Sequence, residues 1–342
     1  MADVKDWMAL AKPDPEWDQA VKDMMGGQQP DLGVFPGIPE LREWITNAKL
    51  QTAALMGAGK IEGIVEDDHQ VEMRDGHKIT CRTHRPEKNP EGGSPLFVVY
   101  HGGGWCIGGL ENEELLARKI VEKLGAVVVN VDYRLGPEWK FPTAINDSWD
   151  ATKWAAANAS SLGADPSKGF ITGGTSAGGN ITAVVSLLAR DEKLSPPVTG
   201  TLLMIPFYVA HQFIPESWKA DYNSWEQNKY APILSQKACN LFIDNYFPDA
   251  SKRNDPLMSP ALWPTGFAGL PPAVFQVCGQ DPLRDEALIV EREMREKHGI
   301  KTKMLVYPGQ PHGFWSVLPT MDASKKFVED SVDGVKWLLE QK

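Results

Sequence analysis

The sequence predicts an α/β fold in which a mostly parallel central sheet is flanked by helices on both faces. Short, fully apolar runs such as Leu96–Tyr100 (LFVVY) recur along the chain, and helix-like stretches separate them. A strand that is covered on both faces needs such a continuous apolar run. Strands that alternate with helices form mostly parallel sheets.

The predicted elements follow in a definite order. A Pro- and Gly-rich lead-in precedes a predicted helix over residues 40–60, and two β-like runs then meet at Asp75-Gly76, a pair that favours a tight hairpin turn. Strands are predicted at 96–100, 126–133, 169–174, 201–207, 273–279 and 303–307. Helices are predicted at 112–124, 143–159, 177–190, 283–298 and 324–339.

One long segment interrupts this alternation. Residues 208–272 contain helix-like pieces and no recognisable buried strand, and a loop of this length inside a compact domain is usually functional. We interpret it as an insertion over one end of the sheet. The expected organisation is an N-terminal helical cap segment (1–60), the first part of the core (61–207), a cap insertion (208–270) and the second part of the core (271–342).

Composition limits the class of partner. The 45 acidic residues outnumber the 35 Lys and Arg residues, so the formal net charge is −10, which disfavours a nucleic acid as partner. The sequence shows neither a signal-peptide pattern nor a membrane-spanning apolar run. The four cysteines have no metal-ligand spacing. We expect a cytoplasmic protein that needs no cofactor and binds a small molecule; the oligomeric state stays open, a homodimer included.

A nucleophile motif follows one of the apolar strands. Ser176 stands in Gly174-Thr175-Ser176-Ala177-Gly178, between the strand-like FITGG and a helix-like stretch. In a G-x-S-x-G motif between a strand and a helix, the nucleophilic serine stands on a sharp turn, and the flanking glycines avoid side-chain clashes there. This context favours a nucleophile over an ordinary serine in a Gly-rich turn.

A glycine-rich loop, His101-Gly102-Gly103-Gly104-Trp105, directly follows LFVVY. Successive glycines free backbone N–H groups to point at one spot, and Ala177 supplies another N–H from a helix N-terminus. The alternative of a phosphate-binding loop fits less well, because the chain lacks the patterns of such loops. The loop is therefore a candidate oxyanion hole.

A base and an orienting acid should also lie at the carboxyl edge of the sheet. His312 follows the last apolar strand and is the preferred base among seven histidines, with His211 at the start of the insertion as the alternative. Asp281 follows the strand at 273–279 and is the preferred acid. Its structural alternative is a helix N-cap, and Asp285 is its rival.

Five ordered motifs resemble the hormone-sensitive-lipase-like, or bacterial family IV, branch of the α/β-hydrolases: HGGGW, DYRLGPEWKFPTAINDSWDATKW, GTSAGGN, DPLRDEA and YPGQPHGF. Thr175 places the chain with the GTSAG type. The chain order Ser, Asp, His is the one expected for such a hydrolase. The resemblance implies an α/β-hydrolase fold with a helical cap and a carboxylesterase activity. It implies a triad of Ser176, Asp281 and His312 and an oxyanion hole of Gly103, Gly104 and Ala177.

The chain contains 12 tryptophans, several of them in the predicted cap. An aromatic pocket would favour small to medium apolar or aromatic esters, among them secondary-metabolite esters. Large aromatics can equally pack the seam between cap and core. The candidate substrate-binding residues are Trp105, Phe213, Trp218, Trp225 and Trp315.

Two other functions stay open at this point. The same triad could cleave amides or thioesters, as in arylformamidase-like or deacetylase-like enzymes. A ligand-binding protein on a hydrolase fold without catalysis is the other alternative, although His312 is present where such proteins lack the base.

Overall fold

A computed structural model describes residues 7–56 and 62–341. Within these residues, eight strands form one sheet in the order β1-β2-β4-β3-β5-β6-β7-β8. β2 pairs antiparallel with β1 and β4, and the other neighbours are parallel. This confirms the predicted mostly parallel sheet. The strands are Ile64–Glu72 (β1), Lys78–Pro86 (β2), Leu96–Tyr100 (β3), Val127–Val131 (β4), Phe170–Thr175 (β5), Gly200–Met204 (β6), Ala273–Gln280 (β7) and Thr302–Pro311 (β8).

Each helix that the sequence predicts lies close to its predicted position, whereas the helices Pro15–Met25 and Phe314–Val317 were not predicted. None of the described helices is both long enough and apolar enough to cross a membrane. The first long helix ends at Met56, and the predicted residues 57–60 lie outside the described residues. The helices are Pro15–Met25 (α1), Ile38–Met56 (α2), Glu114–Leu124 (α3), Thr143–Asn158 (α4), Ala177–Asp191 (α5), Ser224–Gln227 (α6), Gln236–Tyr246 (α7), Arg284–His298 (α8), Phe314–Val317 (α9) and Asp322–Leu339 (α10).

The apolar strands are covered on both faces. In β3, Leu96, Val98 and Tyr100 pack against residues of α4 and α5, whereas Phe97 and Val99 pack against residues of α3 and α10. Successive side chains of a strand point to opposite faces. Both faces of this strand meet helices, which explains why its sequence shows no polar alternation.

The insertion between β6 and β7 consists of α6, α7 and several short 3₁₀ turns. It meets the N-terminal segment through backbone hydrogen bonds, from Leu32 N–H to Ile233 O (2.9 Å) and from Ile233 N–H to Pro30 O (2.5 Å). The Ser235 hydroxyl also donates to Asp31 Oδ1 (2.9 Å). The two segments that the sequence assigns to a cap are therefore joined to each other.

The N-terminal segment also packs on the core. Trp17 is fully buried in a cluster with Phe314 and Met321, and Glu16 accepts the N–H of Asp322 (2.6 Å). Before Glu16, the segment passes so close to β7 that a Cβ at Gly279 would lie 1.9 Å from the Leu10 carbonyl oxygen.

Gly279→Ala is expected to displace the N-terminal segment and to destabilise the protein by about 1–3 kcal/mol, because the added methyl overlaps a backbone oxygen. Thermal unfolding and limited proteolysis measure the effect. The matched control is Gly92→Ala, where an added Cβ meets nothing within 4 Å. Equal melting temperatures for the two variants would contradict this account of the contact.

Candidate active site

Ser176 lies on the turn between β5 and α5, with φ 56° and ψ −111°. L residues seldom adopt this conformation, and it costs about 1–3 kcal/mol. The turn is tight because the helix start approaches β3, so that a Cβ at Gly178 would lie 2.0 Å from the Tyr100 carbonyl oxygen. A Cβ at Gly174 would lie 2.4 Å from the Gly178 oxygen. Glycine on both sides of Ser176 therefore has a steric cause.

Three side chains form a hydrogen-bonded chain at this turn. His312 Nε2 lies 2.8 Å from Ser176 Oγ, and His312 Nδ1 lies 2.6 Å from Asp281 Oδ2. Asp281 is 1% exposed and His312 is 7% exposed. A buried carboxylate at Nδ1 holds the imidazole so that Nε2 can accept a proton from the serine hydroxyl.

Asp281 has a second contact, since its Oδ1 accepts the N–H of Leu283 (2.8 Å). Such a bond to the backbone two residues ahead forms an Asx turn. The N-cap alternative is wrong, because the helix begins at Arg284 and Leu283 is its N-cap residue. The two carboxylate oxygens instead combine this turn with the contact to His312.

The two alternative residues lie elsewhere. Asp285 accepts the N–H groups of Asn223 and Ser224 (2.7 Å each) and pairs with Arg284, so its carboxylate holds the insertion. His211 is exposed and stacks on Trp225 at 4.7 Å between ring centroids. Among the described hydrogen bonds, neither residue contacts the candidate triad.

The glycine loop after β3 is shaped by its own backbone. Gly103 O accepts the N–H groups of Cys106 and Ile107 (3.0 Å each), and Gly104 has φ 56°. A Cβ at Gly104 would lie 2.3 Å from Phe242 Cγ, so α7 of the insertion packs directly on the loop. His101 stabilises the loop, since its carbonyl oxygen accepts a hydrogen bond from the Tyr133 hydroxyl (2.7 Å).

Aromatic rings surround Trp105 at the end of this loop. Tyr246 stacks on it at 5.0 Å and Phe207 meets it edge-on at 5.4 Å. The sequence reasoning missed Phe207, Tyr246 and Phe242. For two of them a signal existed, because residues 239, 242, 243 and 246 have the spacing of one apolar helix face.

The other candidate pocket residues have packing partners. Phe213 is half-buried and contacts two core clusters. Trp218 is buried and its indole donates to Glu293 on α8 (3.2 Å). Trp225 is buried beside His211, and Trp315 stacks on Phe327 of α10 at 3.5 Å. These contacts fit the role of packing the seam between segments.

Buried titratable groups lie close to the site. Burial raises the pKa of Glu113 to about 7, while hydrogen bonds from the Thr175 hydroxyl and the Gly102 N–H partly lower it. The described cysteines are unpaired and buried, and burial raises the pKa of the Cys106 thiol to about 12. Among residues 7–56 and 62–341, no group of three or more His, Cys, Asp or Glu side chains could hold a metal ion.

The match to known proteins agrees with this architecture. Residues 97–316, more than half of the chain, match a family described by the alpha/beta hydrolase fold. The chain belongs to this α/β-hydrolase family. The match confirms the resemblance drawn from the five motifs.

Individual relatives of this hydrolase cover most of its length. An AB hydrolase superfamily protein of Schizosaccharomyces pombe is 42% identical over 80% of this chain and 79% of its own length. A versiconal hemiacetal acetate esterase of Dothistroma septosporum is 37% identical over 74% of this chain and 76% of its own length. The crystal structure of a vibralactone cyclase superposes with a TM-score of 0.87 at 33% identity, over 97% of this chain and 96% of that chain.

The two contacts of Asp281 can be separated by substitution. Asp281→Asn keeps an oxygen for Leu283 N–H but not the carboxylate at His312, so we expect kcat on an ester to fall by about 10⁴ with little change in melting temperature. Asp281→Ala should lose a further ~1 kcal/mol of stability, because the hydrogen bond from Leu283 N–H is lost as well. Steady-state kinetics and thermal unfolding report the two effects, and a kcat near the wild-type value in Asp281→Asn would contradict the assigned role.

Proposed function

We propose that this α/β hydrolase cleaves carboxylic esters through an acyl-enzyme on Ser176. The observation that carries the proposal is the hydrogen-bonded chain from Ser176 Oγ through His312 to the buried Asp281. The similarity to a versiconal hemiacetal acetate esterase supports an ester as the substrate.

In the proposed reaction, His312 Nε2 takes the Ser176 proton while Oγ attacks the ester carbonyl, and Asp281 stabilises the imidazolium that forms. His312 then passes the proton to the leaving alcohol, and the acyl-enzyme remains. A water molecule that gives its proton to His312 attacks this acyl group and releases the acid. Backbone N–H groups stabilise the oxyanion of both steps; the proposed donors are those of Gly103, Gly104 and Ala177.

We further propose that residues 1–60 and 208–270 form a cap over this site, with residues 61–207 and 271–342 as the core. The backbone hydrogen bonds of Ile233 with Leu32 and Pro30 support a joint cap, and so does the contact of Phe242 with Gly104. The aromatic rings around Trp105 favour a small to medium apolar or aromatic ester.

Ser176→Ala is expected to lower kcat on p-nitrophenyl butyrate by about 10⁴ or more, because no hydroxyl remains to form the acyl-enzyme. It should also abolish labelling by a fluorophosphonate probe. The control is Ser167→Ala, a serine of a short turn before β5 that lies outside the candidate site. Wild-type turnover by Ser176→Ala would refute the proposal, and faster cleavage of a matched anilide than of the ester would replace the ester with an amide as the substrate.

The proposed pocket predicts a preference between esters with one acyl group. Benzyl butyrate should have a kcat/KM at least about tenfold above that of ethyl butyrate, because the benzyl ring buries additional apolar surface. Both esters release a primary alcohol, so the comparison reports on the pocket. A higher turnover of tributyrin than of every aromatic ester would contradict an aromatic pocket.

A further inference from the structure

The start of α8 buries three consecutive ionisable residues. Arg284, Asp285 and Glu286 are each at most 1% exposed. Charged side chains are almost never buried to this degree without a partner. Arg284 and Asp285 form an ion pair with each other, which explains how two of these three charged side chains can be buried.

Glu286 has a different set of partners. Its Oε2 accepts the N–H groups of Tyr208 (2.6 Å) and Val209 (3.1 Å), and its Oε1 lies 3.3 Å from the Tyr222 hydroxyl. All three partners belong to the segment between β6 and β7. The carboxyl group therefore binds the insertion, mainly through its backbone, from the helix that follows Asp281.

The segment that Glu286 holds also contacts Trp105, a candidate substrate-binding residue, and we refer to it as the Phe207–Val209 wall. Phe207 directly precedes Tyr208, and its ring contacts Trp105, the last residue of the glycine-rich loop. The nucleophile helix holds the same segment, because Asn180 Nδ2 donates to Phe207 O (3.1 Å). The wall is thus hydrogen-bonded both to α5, the helix that follows Ser176, and to α8, the helix that follows Asp281.

We propose that Glu286 is a positioning residue, which holds the Phe207–Val209 wall in register with the candidate triad so that an ester binds against Trp105 in a reactive orientation. This inference rests on the proposed ester hydrolysis. It assigns to Glu286 no contact with the substrate.

The protonation of Glu286 suits this role. Burial raises its pKa to about 8, while the Tyr208 and Val209 N–H groups lower it in part and the charge of Asp281 raises it further. In the neutral acid, one oxygen still accepts both N–H groups and the O–H can donate to Tyr222. A glutamine offers the same arrangement. The titratable groups that interact with Glu286 are Asp281, which precedes α8, and Tyr208, Tyr222 and Cys239 of the insertion.

The raised pKa has a defined consequence for stability. Between its ordinary pKa of 4.5 and about 8, the folded state binds more protons at Glu286 than the unfolded state does. The contribution of this group to the free energy of unfolding therefore decreases as the pH rises through that range. Glu286→Gln does not titrate, so its melting temperature should rise relative to that of the wild type between about pH 5 and pH 8.

The experiment measures kcat and KM for benzyl butyrate in Glu286→Ala, Glu286→Gln and the wild type. Fluorophosphonate labelling counts the active sites, and kcat is expressed per labelled site. We expect kcat/KM to fall at least about tenfold in Glu286→Ala, because small displacements of a positioned site are costly. We expect Glu286→Gln to stay within about threefold of the wild type. The matched control is Glu291→Gln, a buried carboxylate on the same helix that accepts from Arg295 and Thr302 and does not contact the insertion among the described residues.

The outcomes are distinguishable. If Glu286→Ala melts at a lower temperature but each labelled site keeps the wild-type kcat and KM, the residue is only structural and the proposal is overturned. A Glu286→Gln variant as impaired as Glu286→Ala would overturn it too. If the wild type is labelled but cleaves no ester, the proposed function fails instead, and the labelling rate of Glu286→Ala, expected to be about tenfold slower than that of the wild type, still tests the positioning.

Discussion

The strained backbone of Ser176 is the constraint on which the rest of the site depends. A conformation near φ 56° persists only where the surrounding packing leaves no alternative. At Ser176 this packing is the contact between α5 and β3. The two elements approach most closely where Gly178 lies against the Tyr100 carbonyl oxygen. Any side chain at Gly178 would push the helix away from the sheet and let Ser176 relax.

The order of the strands explains how distant parts of the chain meet at this turn. β3 and β5 are parallel neighbours, with Tyr100 opposite Gly174, so the loop after β3 and the turn after β5 leave the sheet side by side. β7 and β8 are also neighbours, with Gln280 opposite Pro311, and Asp281 and His312 follow them directly. The hydrogen bonds of the candidate triad are thus a consequence of strand adjacency.

The parts of this arrangement that depend on local sequence could be predicted. Apolar runs located the parallel strands to within a few residues, and the position of Ser176 between a strand and a helix was enough to single it out. The partners of the insertion could not be predicted in the same way. Phe242 reaches Gly104, and Glu286 reaches Tyr208, only because irregular backbone brings them together, and no periodicity encodes that path. Glu286 looks in sequence like an exposed acid in the first turn of a helix.

The first two acids of α8, Asp285 and Glu286, bind the insertion chiefly through its main chain. Asp285 accepts the N–H groups of Asn223 and Ser224, and Glu286 accepts those of Tyr208 and Val209. A backbone N–H is the same for every residue except proline, so these bonds place few demands on the side chains of the insertion. Side chains such as Phe242, which pack toward the glycine loop, can therefore change without loss of the anchor. The strained turn at Ser176 and the attachment of the insertion to α8 thus both depend chiefly on contacts of the backbone.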